Sequence, residues 1–262
     1  MAAIRDWVVT IRATPTESGD ALLSAGDNRH MFDTIVSHYD LLNGLLSLGM
    51  DRYWRRRAVA VLDPRAGGRY LDVGCGTGAM SVALLRREPR AHIVGVDPSG
   101  AMLAQARRLL LRAGLAASVQ LEPGDACALG GADAAFDGVL SGFCIRNLTD
   151  RRRAWAEMRR VTRPGGRIVA LELTRPRARL LRWGHAVYSH TIVPLLGRML
   201  SRGQAYKYLT ASVDRFPAPD AIVAELTQAG LIDVAARPLT GGAVTVFSGV
   251  HPEARQEATG DG

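Results

Sequence analysis

The sequence predicts an α/β fold with a doubly wound, mostly parallel β-sheet, and three observations support this. From Arg69 onward, short apolar runs alternate with longer amphipathic stretches, which is typical of βαβ units. A glycine-rich turn directly follows the first apolar run, where such sheets bind ligands. The last two apolar runs are separated only by a short glycine-containing loop, which indicates an antiparallel β-hairpin at the edge of the sheet.

Seven short apolar runs are predicted to be strands. They cover residues 69–73, 92–96, 119–122, 136–141, 167–172, 232–237 and 243–250. A turn over residues 163–166, which contains Pro164, is expected to precede the fifth strand.

Helices are predicted where apolar residues recur at helical spacing between these strands. They cover residues 79–87, 100–113, 150–161 and 218–229. Thr149 or Asp150 is the expected N-cap of the third, because short polar side chains accept hydrogen bonds from the first turn of a helix. Residues 177–196 also have helical spacing and are expected to form an insertion.

The chain of 262 residues is long enough for one sizeable domain. We expect a leader over residues 1–28, a single domain over 29–250 and a polar tail over 251–262. Within the domain, the expected parts are N-terminal helices (29–66), a cofactor-binding core (67–175), a helical lid over the active site (176–216) and a return helix with the edge hairpin (217–250).

The composition limits where the protein works and what it binds. Three cysteines without metal-ligand spacing predict neither a disulfide framework nor a metal site, and they favour the cytoplasm. No apolar run approaches the ~20 residues that span a bilayer. The net charge of +8 is compatible with a solvated arginine-rich surface or with peripheral attraction to an anionic membrane. No nucleic-acid-binding motif is present, so a nucleic-acid partner is not expected, and a homodimer is left open.

The stretch YLDVGCGTGAM contains the main candidate ligand site. After a strand ending at Val73, the glycines Gly74, Gly76 and Gly78 allow positive φ and a close approach of the backbone to a ligand at a helix N-terminus. Asp97 ends the next strand, where an acid can accept both hydroxyls of a ribose. Together they predict a cofactor that contains adenosine.

The acid inside the loop distinguishes between two such cofactors. Asp72 would repel the pyrophosphate of a nicotinamide dinucleotide, whereas it suits the ammonium group of an amino acid. The pattern is similar to the first motif of Rossmann-like class I methyltransferases that use S-adenosylmethionine. Asp125 and Ala126 follow the third strand, where such enzymes bind adenine.

Four further stretches suggest the substrate. They are MFDTIVSHYDLLNGLLSLGMDRYWRR from Met31, SGFCIRNLTDRRRAWAEMRRVTRPGGRIVALEL from Ser141, YKYLTASVDRFP from Tyr206, and LTGGAVTVFSGV near the end. In this order they resemble the ubiquinone/menaquinone biosynthesis C-methyltransferases, the UbiE/MenG family.

The resemblance implies methylation of a ring carbon of a prenylated benzoquinol or naphthoquinol. It implies cofactor contacts at Thr77, Asp97, Asp125, Ala126 and Ser141, and Tyr39, Arg146 and Asn147 at the reacting end. No metal is expected to be required, and the lid is expected to receive the prenyl tail at a membrane surface.

The expected chemistry needs a phenolate, whose negative charge spreads onto the adjacent ring carbon. Arg146 is the candidate cation that stabilises this phenolate, with a surface salt bridge to Asp150 as the alternative. Asn147 and Tyr39 are expected to hold the quinol oxygens. His38 and His190 remain alternative proton acceptors.

Two other functions stay open at this stage. A related enzyme of secondary metabolism could methylate another phenol, a prenyl diphosphate carbon, or an oxygen or nitrogen. A non-catalytic protein could retain the cofactor pocket for structural reasons.

Overall fold

A seven-stranded β-sheet forms the centre of the part that the computed structural model describes, which is residue 47 and residues 49–176 and 211–253. The strands are β1 (Arg69–Val73), β2 (His92–Asp97), β3 (Val119–Pro123), β4 (Phe136–Gly142), β5 (Thr162–Leu173), β6 (Ile232–Leu239) and β7 (Val244–Val250). Their order is β3-β2-β1-β4-β5-β7-β6; the first five strands are parallel, and β7 is antiparallel to both β5 and β6. The predicted fold class is confirmed.

Helices cover both faces of the sheet. They are α1 (Asp51–Leu62), α2 (Ala79–Arg87), α3 (Gly100–Arg112), α4 (Arg151–Val161) and α5 (Pro219–Gln228). Successive side chains of a strand point to opposite faces. Val139 therefore packs in the hydrophobic cluster that contains Trp155 of α4 and Leu226 of α5. Leu140 packs in the cluster formed with α1, α2 and α3.

The predicted boundaries agree with these elements within two residues, except for the start of β5. This strand begins at Thr162, which pairs with Phe136 of β4, and it resumes its pairing with β4 at Arg167. The predicted turn, residues 163–166, loops out between these two pairs. The N–H of Gly165 donates to the carbonyl of His251 at 2.8 Å, and the N–H of His251 donates to the carbonyl of Gly166 at 2.9 Å. Bonds to the residue after β7 thus hold the turn against the sheet.

Asp150, rather than Thr149, is the N-cap of α4. Its side chain accepts a hydrogen bond from the N–H of Arg153 at 2.9 Å. At the same end of α4, Glu225 of α5 binds Arg151 through both carboxylate oxygens, at 2.8 and 3.2 Å. These bonds join the return helix to α4.

Helix α1 runs antiparallel to β4, and this places its first turn at the carboxyl edge of the sheet. Its last residue, Leu62, packs against Gly138 near the start of β4, since a Cβ on Gly138 would lie 2.9 Å from Leu62 Cδ1. Near its first residue, the Trp54 indole N–H donates to Thr240 Oγ1 at 2.7 Å, and the Trp54 ring lies 6.4 Å from that of Phe143, which follows β4.

Several predicted features lie outside the described residues. These are the leader, residues 29–46 and 48 of the N-terminal helical segment with Tyr39 and His38, residues 177–210 of the predicted lid with His190, and the end of the tail. Among the described helices, none combines the length and the apolar character required to cross a membrane.

Candidate functional site

The three glycines after β1 all adopt left-handed backbone conformations. Their φ angles are +65° at Gly74, +53° at Gly76 and +84° at Gly78. A Cβ on Gly74 would lie 2.7 Å from the Cβ of Cys144, whereas a Cβ on Gly76 would have no atom within 4 Å. Gly74 therefore permits close packing, and Gly76 borders open space in which a ligand can approach the backbone.

Asp97 joins this loop to the end of β2. Its Oδ2 accepts the N–H of Gly76 at 2.9 Å, and its Oδ1 accepts the N–H of Ser99 at 2.9 Å. The side chain is buried. The predicted acceptor of ribose hydroxyls thus lies directly beside the open glycine backbone.

Asp72, the acid of the loop motif, is completely buried at the end of β1. Its Oδ2 accepts the N–H of Ser81 at 3.0 Å and the hydroxyl of Ser81 at 2.6 Å. Its Oδ1 is buried and has no hydrogen-bond partner among the described residues. Burial raises the pKa of Asp72 to about 6, although the bonds from Ser81 and the charge of Arg55 oppose this rise. A buried oxygen without a partner is costly, so Asp72 is suited to receive a donor from a ligand.

The predicted adenine contacts follow β3, which lies beside β2 in the sheet. Asp125 is exposed, and its Oδ1 accepts the N–H of Cys127 at 2.9 Å. Ala126 is buried in the hydrophobic core. The N–H of Gly124 donates to the carbonyl of Asp97 at 3.3 Å, which connects this turn to the glycine loop.

Ser141 and Thr77 are both buried beside the loop. The hydroxyl of Ser141, on β4, donates to the carbonyl of Val73 at 2.8 Å. This bond ties β4 to the end of β1, directly before the first glycine. Ser141 therefore positions the loop, whether or not it also contacts a ligand.

Arg146 lies in a 3-10 turn after β4 and forms a buried salt bridge. Its Nη1 is 2.9 Å from Oε2 of Glu172, and its backbone N–H donates to Oε1 at 3.2 Å. Glu172 is completely buried and Arg146 is only 9% exposed. Burial raises the pKa of Glu172, while the charge and hydrogen bonds of Arg146 lower it. The alternative, a surface salt bridge of Arg146 with Asp150, is wrong, because Arg146 is buried and pairs with Glu172, whereas Asp150 is exposed and caps α4.

Glu172 was not among the candidate residues from the sequence. The signal that could have identified it is a charged residue within the apolar run of the fifth strand, IVALEL. A carboxylate in such a run is almost never fully buried unless it is paired.

The backbone carbonyl of Phe143 brings two predicted catalytic residues together. The guanidinium of Arg146 donates to it through Nη1, and Asn147 Nδ2 donates to it at 3.3 Å. Phe143 has φ of +60°, which is unusual for a bulky side chain. Its ring centroid lies 5.9 Å from the guanidinium carbon of Arg146 and 5.3 Å from that of Arg55, a buried residue of α1 that the sequence reasoning missed.

Within the described residues, no three His, Cys, Asp or Glu side chains form a group that could hold a metal ion. The expectation that no metal is required stays a prediction. The arrangement around the loop is one of buried carboxylates and guanidinium groups at the carboxyl ends of β1, β2, β4 and β5.

Comparison with known proteins identifies the group to which this site is similar. The model of the ubiE/COQ5 methyltransferase family matches residues 23–251. A demethylmenaquinone methyltransferase of Roseiflexus castenholzii is 42% identical over 225 residues, which cover 84% of this chain and 91% of that protein. The ubiquinone/menaquinone biosynthesis C-methyltransferase UbiE of Geobacter sulfurreducens is 39% identical, with coverage of 89% and 90%.

Solved structures agree with the fold. A SAM-dependent methyltransferase from Thermotoga maritima matches with a TM-score of 0.59 at 22% identity, over 85% of this chain and 98% of that one. Phosphoethanolamine N-methyltransferase 2 of Haemonchus contortus, in complex with S-adenosyl-L-methionine, matches with a TM-score of 0.62 at 17% identity, over 84% and 57% of the two chains. At these identities the likeness concerns the fold alone.

Gly74 is tightly packed and Gly76 is not, so we expect alanine substitutions at these two positions to change the free energy of unfolding by different amounts. Gly76→Ala introduces only backbone strain, and we expect it to lower the free energy of unfolding by about 1–2 kcal/mol. Gly74→Ala adds a clash with Cys144, and we expect a further loss of about 1–3 kcal/mol. Urea unfolding of both variants measures the difference. Equal losses would show that the contact with Cys144 does not constrain the loop.

The buried salt bridge predicts a large effect of removing its acid. Glu172→Ala leaves the Arg146 charge buried without its partner, so we expect a loss of about 3–5 kcal/mol in the free energy of unfolding. Asp133→Ala is the matched control, since it breaks an exposed Arg160–Asp133 pair of 2.8 Å and should cost less than about 1 kcal/mol. Similar losses in the two variants would contradict the interpretation.

The raised pKa of Asp72 predicts a pH-dependent stability of the ligand-free protein. Because the pKa is about 6 in the folded state against 3.8 for the unperturbed group, the folded protein holds this proton more tightly. The stabilising contribution is fully present below the lower value and is lost as the pH rises through about 6. Asp72→Asn lacks this titration. Between pH 5 and pH 8, we therefore expect the unfolding free energy of the wild type to fall by about 1–2 kcal/mol relative to that of Asp72→Asn. Parallel pH profiles would be the contrary result.

Proposed function

The chain belongs to the ubiE/COQ5 methyltransferase family, and from that premise we propose that it methylates a ring carbon of a prenylated hydroquinol in menaquinone or ubiquinone biosynthesis. It is a methyltransferase that uses S-adenosylmethionine. The observation that carries the proposed substrate class is the buried Arg146–Glu172 pair at the ends of β4 and β5, two strands that continue the sheet from the glycine loop of β1.

The residues present fit an adenosyl amino acid. The space beside Gly76 admits a ligand against the backbone, and Oδ1 of Asp72, which has no partner in the described part of the chain, is assigned to an ammonium group. Asp97 is assigned to the ribose hydroxyls, and Asp125 with the backbone of Ala126 to the adenine. Gly74, Gly78, Thr77 and Ser141 shape the loop around them.

When bound, S-adenosylmethionine supplies an electrophilic methyl group, so the protein must supply a nucleophilic ring carbon. A phenol has a pKa near 10, and its ring carbon becomes nucleophilic when the adjacent hydroxyl loses its proton. Arg146 stabilises that phenolate and orients a water that takes the proton. A guanidinium is a poor proton acceptor itself, because it stays charged at all physiological pH values.

Glu172 fixes the position of the Arg146 guanidinium. Its two oxygens bind the side chain and the backbone N–H of Arg146, so the guanidinium is held in place before a substrate arrives. Asn147 donates to the quinol oxygen, and Tyr39 holds or relays the second hydroxyl. With S-adenosylmethionine bound, its methyl group would replace the ring hydrogen, which would leave as a proton to water, and S-adenosylhomocysteine would be released.

The prenyl tail of the proposed substrate determines where in the cell the substrate is found. A long isoprenoid chain partitions into lipid, so we extend the proposal to peripheral binding at an anionic membrane surface, with the lid over residues 176–216 receiving the tail. The excess of basic residues behind the net charge of +8 supports attraction to such a surface. A homodimer is compatible with this arrangement.

Turnover of a short-chain demethylmenaquinol, kept reduced, tests the proposed reaction. We expect a product one methylene heavier by mass spectrometry. The double variant Arg146→Gln/Glu172→Gln keeps a buried hydrogen-bonded pair without charges, and we expect its kcat to fall about 10²–10³-fold. Its affinity for S-adenosylhomocysteine should remain unchanged by calorimetry. Arg152→Gln, at an exposed position of α4, is the control that should keep full activity.

Two outcomes would contradict the proposal. If reduced quinols are not methylated but another phenol or a prenyl diphosphate is, the substrate class is wrong. For the membrane surface, turnover of a long-chain acceptor should be faster in anionic than in neutral vesicles, and equal rates would remove that part.

A further inference from the structure

Arg55, on α1, is a second buried arginine at the carboxyl edge of the sheet. Its side chain is more than nine-tenths buried, at 7% residue exposure. Its Nε and Nη1 are buried and have no hydrogen-bond partner among the described residues. The nearby carboxylate of Asp51 lies 3.9 Å from Nη1, which is beyond hydrogen-bond distance. A buried guanidinium with unused donors calls for an anion.

The packing of α1 places Arg55 beside the glycine loop. Its guanidinium carbon lies 5.3 Å from the ring centroid of Phe143. Gly142, the residue before Phe143, packs so closely on α2 that a Cβ there would lie 2.6 Å from Cγ of Met80. Helix α2 begins directly after Gly78, the last glycine of the loop. The charge of Arg55 also lowers the pKa of Asp72, so the two groups lie within electrostatic reach.

Arg55 and Asp72 therefore present complementary unused groups. Within the described residues, Asp72 has one acceptor oxygen without a hydrogen-bond partner and Arg55 has two donor nitrogens without one, and they do not satisfy each other. One kind of ligand completes both at once: an α-amino acid zwitterion, whose ammonium donates to a carboxylate and whose carboxylate accepts from a guanidinium. A guanidinium N–H forms a short, charge-assisted hydrogen bond with a carboxylate.

We propose that Arg55 binds the carboxylate of the methionine moiety of S-adenosylmethionine, opposite the ammonium held by Asp72. The inference rests on the proposed function, since it assigns a further contact in the same cofactor site. An arginine that served only to pack on Phe143 would extend its charged end to solvent, whereas Arg55 keeps Nε and Nη1 buried. Arg146 remains with the methyl acceptor.

Two ligands and three proteins separate this role from a structural one. The ligands are S-adenosylhomocysteine and its decarboxylated analogue, in which hydrogen replaces the α-carboxylate. The proteins are the wild type, Arg55→Gln, and Arg56→Gln as a matched control, because Arg56 is the next residue of α1 and is exposed. Isothermal titration calorimetry gives Kd for each pair.

We expect Arg55→Gln to weaken binding of S-adenosylhomocysteine about 10–100-fold, the range for hydrogen bonds to a charged group. The same variant should bind the decarboxylated analogue within about 3-fold of wild type, since this ligand has no carboxylate for Arg55 to bind. Binding of the analogue also shows that the variant is folded. Arg56→Gln should match wild type with both ligands.

Equal weakening for both ligands, or for neither, would overturn the role of Arg55 while leaving the proposed function intact. Unchanged Kd for S-adenosylhomocysteine with a raised KM for the quinol would assign Arg55 to the acceptor instead, which also overturns it. A wild-type protein that binds neither ligand would reject the proposed function and this inference together. If Arg55→Gln does not fold, Arg55→Met serves, because it removes the charge and every donor, and the selective loss for the ligand with a carboxylate must persist.

Discussion

The hydrogen bond from the Gly76 N–H to the Asp97 carboxylate joins the ends of two neighbouring parallel strands, and the cofactor half of the site depends on it. It holds a loop whose glycines have positive φ beside the acid expected to bind the ribose. Ser141 adds a bond from β4 to the end of β1, and Gly124 adds one from the turn after β3. The ends of four parallel strands are thus fixed relative to one another before any ligand binds.

Buried charge is the second constraint on this edge. Asp72 and Glu172 are fully buried, and Arg55 and Arg146 nearly so. Burying an ion without a partner is strongly unfavourable. Of these four residues, Arg146 and Glu172 bind each other at 2.9 Å, whereas Arg55 approaches only the carboxylate of Asp51, at 3.9 Å, among the described residues. Arg146 and Glu172 hold each other in a fixed geometry at the end of the site proposed for the methyl acceptor. Asp72 and Arg55 have hydrogen-bonding atoms that no described residue occupies and that we assign to the cofactor. Preorganised charges of this kind stabilise charge that develops during a reaction.

Local patterns sufficed to predict most of the fold and to select the candidate cofactor residues. Alternating apolar runs predicted the seven strands, and the spacing of Asp72, the glycines and Asp97 marked the loop, because these residues share one βαβ unit. The start of β5 was missed because residues 163–166 are held by bonds to His251, nearly ninety positions along the chain. No local pattern contains that partner.

The order of residues thus determined which segments form strands and helices, and it located the acid and the glycines that we propose for cofactor binding. The burial of Glu172, its pairing with Arg146 and the approach of Arg55 to Phe143 came only with the folded chain. Each of these contacts joins residues from different elements. From the sequence alone, charged residues such as these are expected at the surface, and only the packing of the sheet and α1 buries them. Burial and the distance between distant residues are properties of packing, and periodicity along the chain does not encode them.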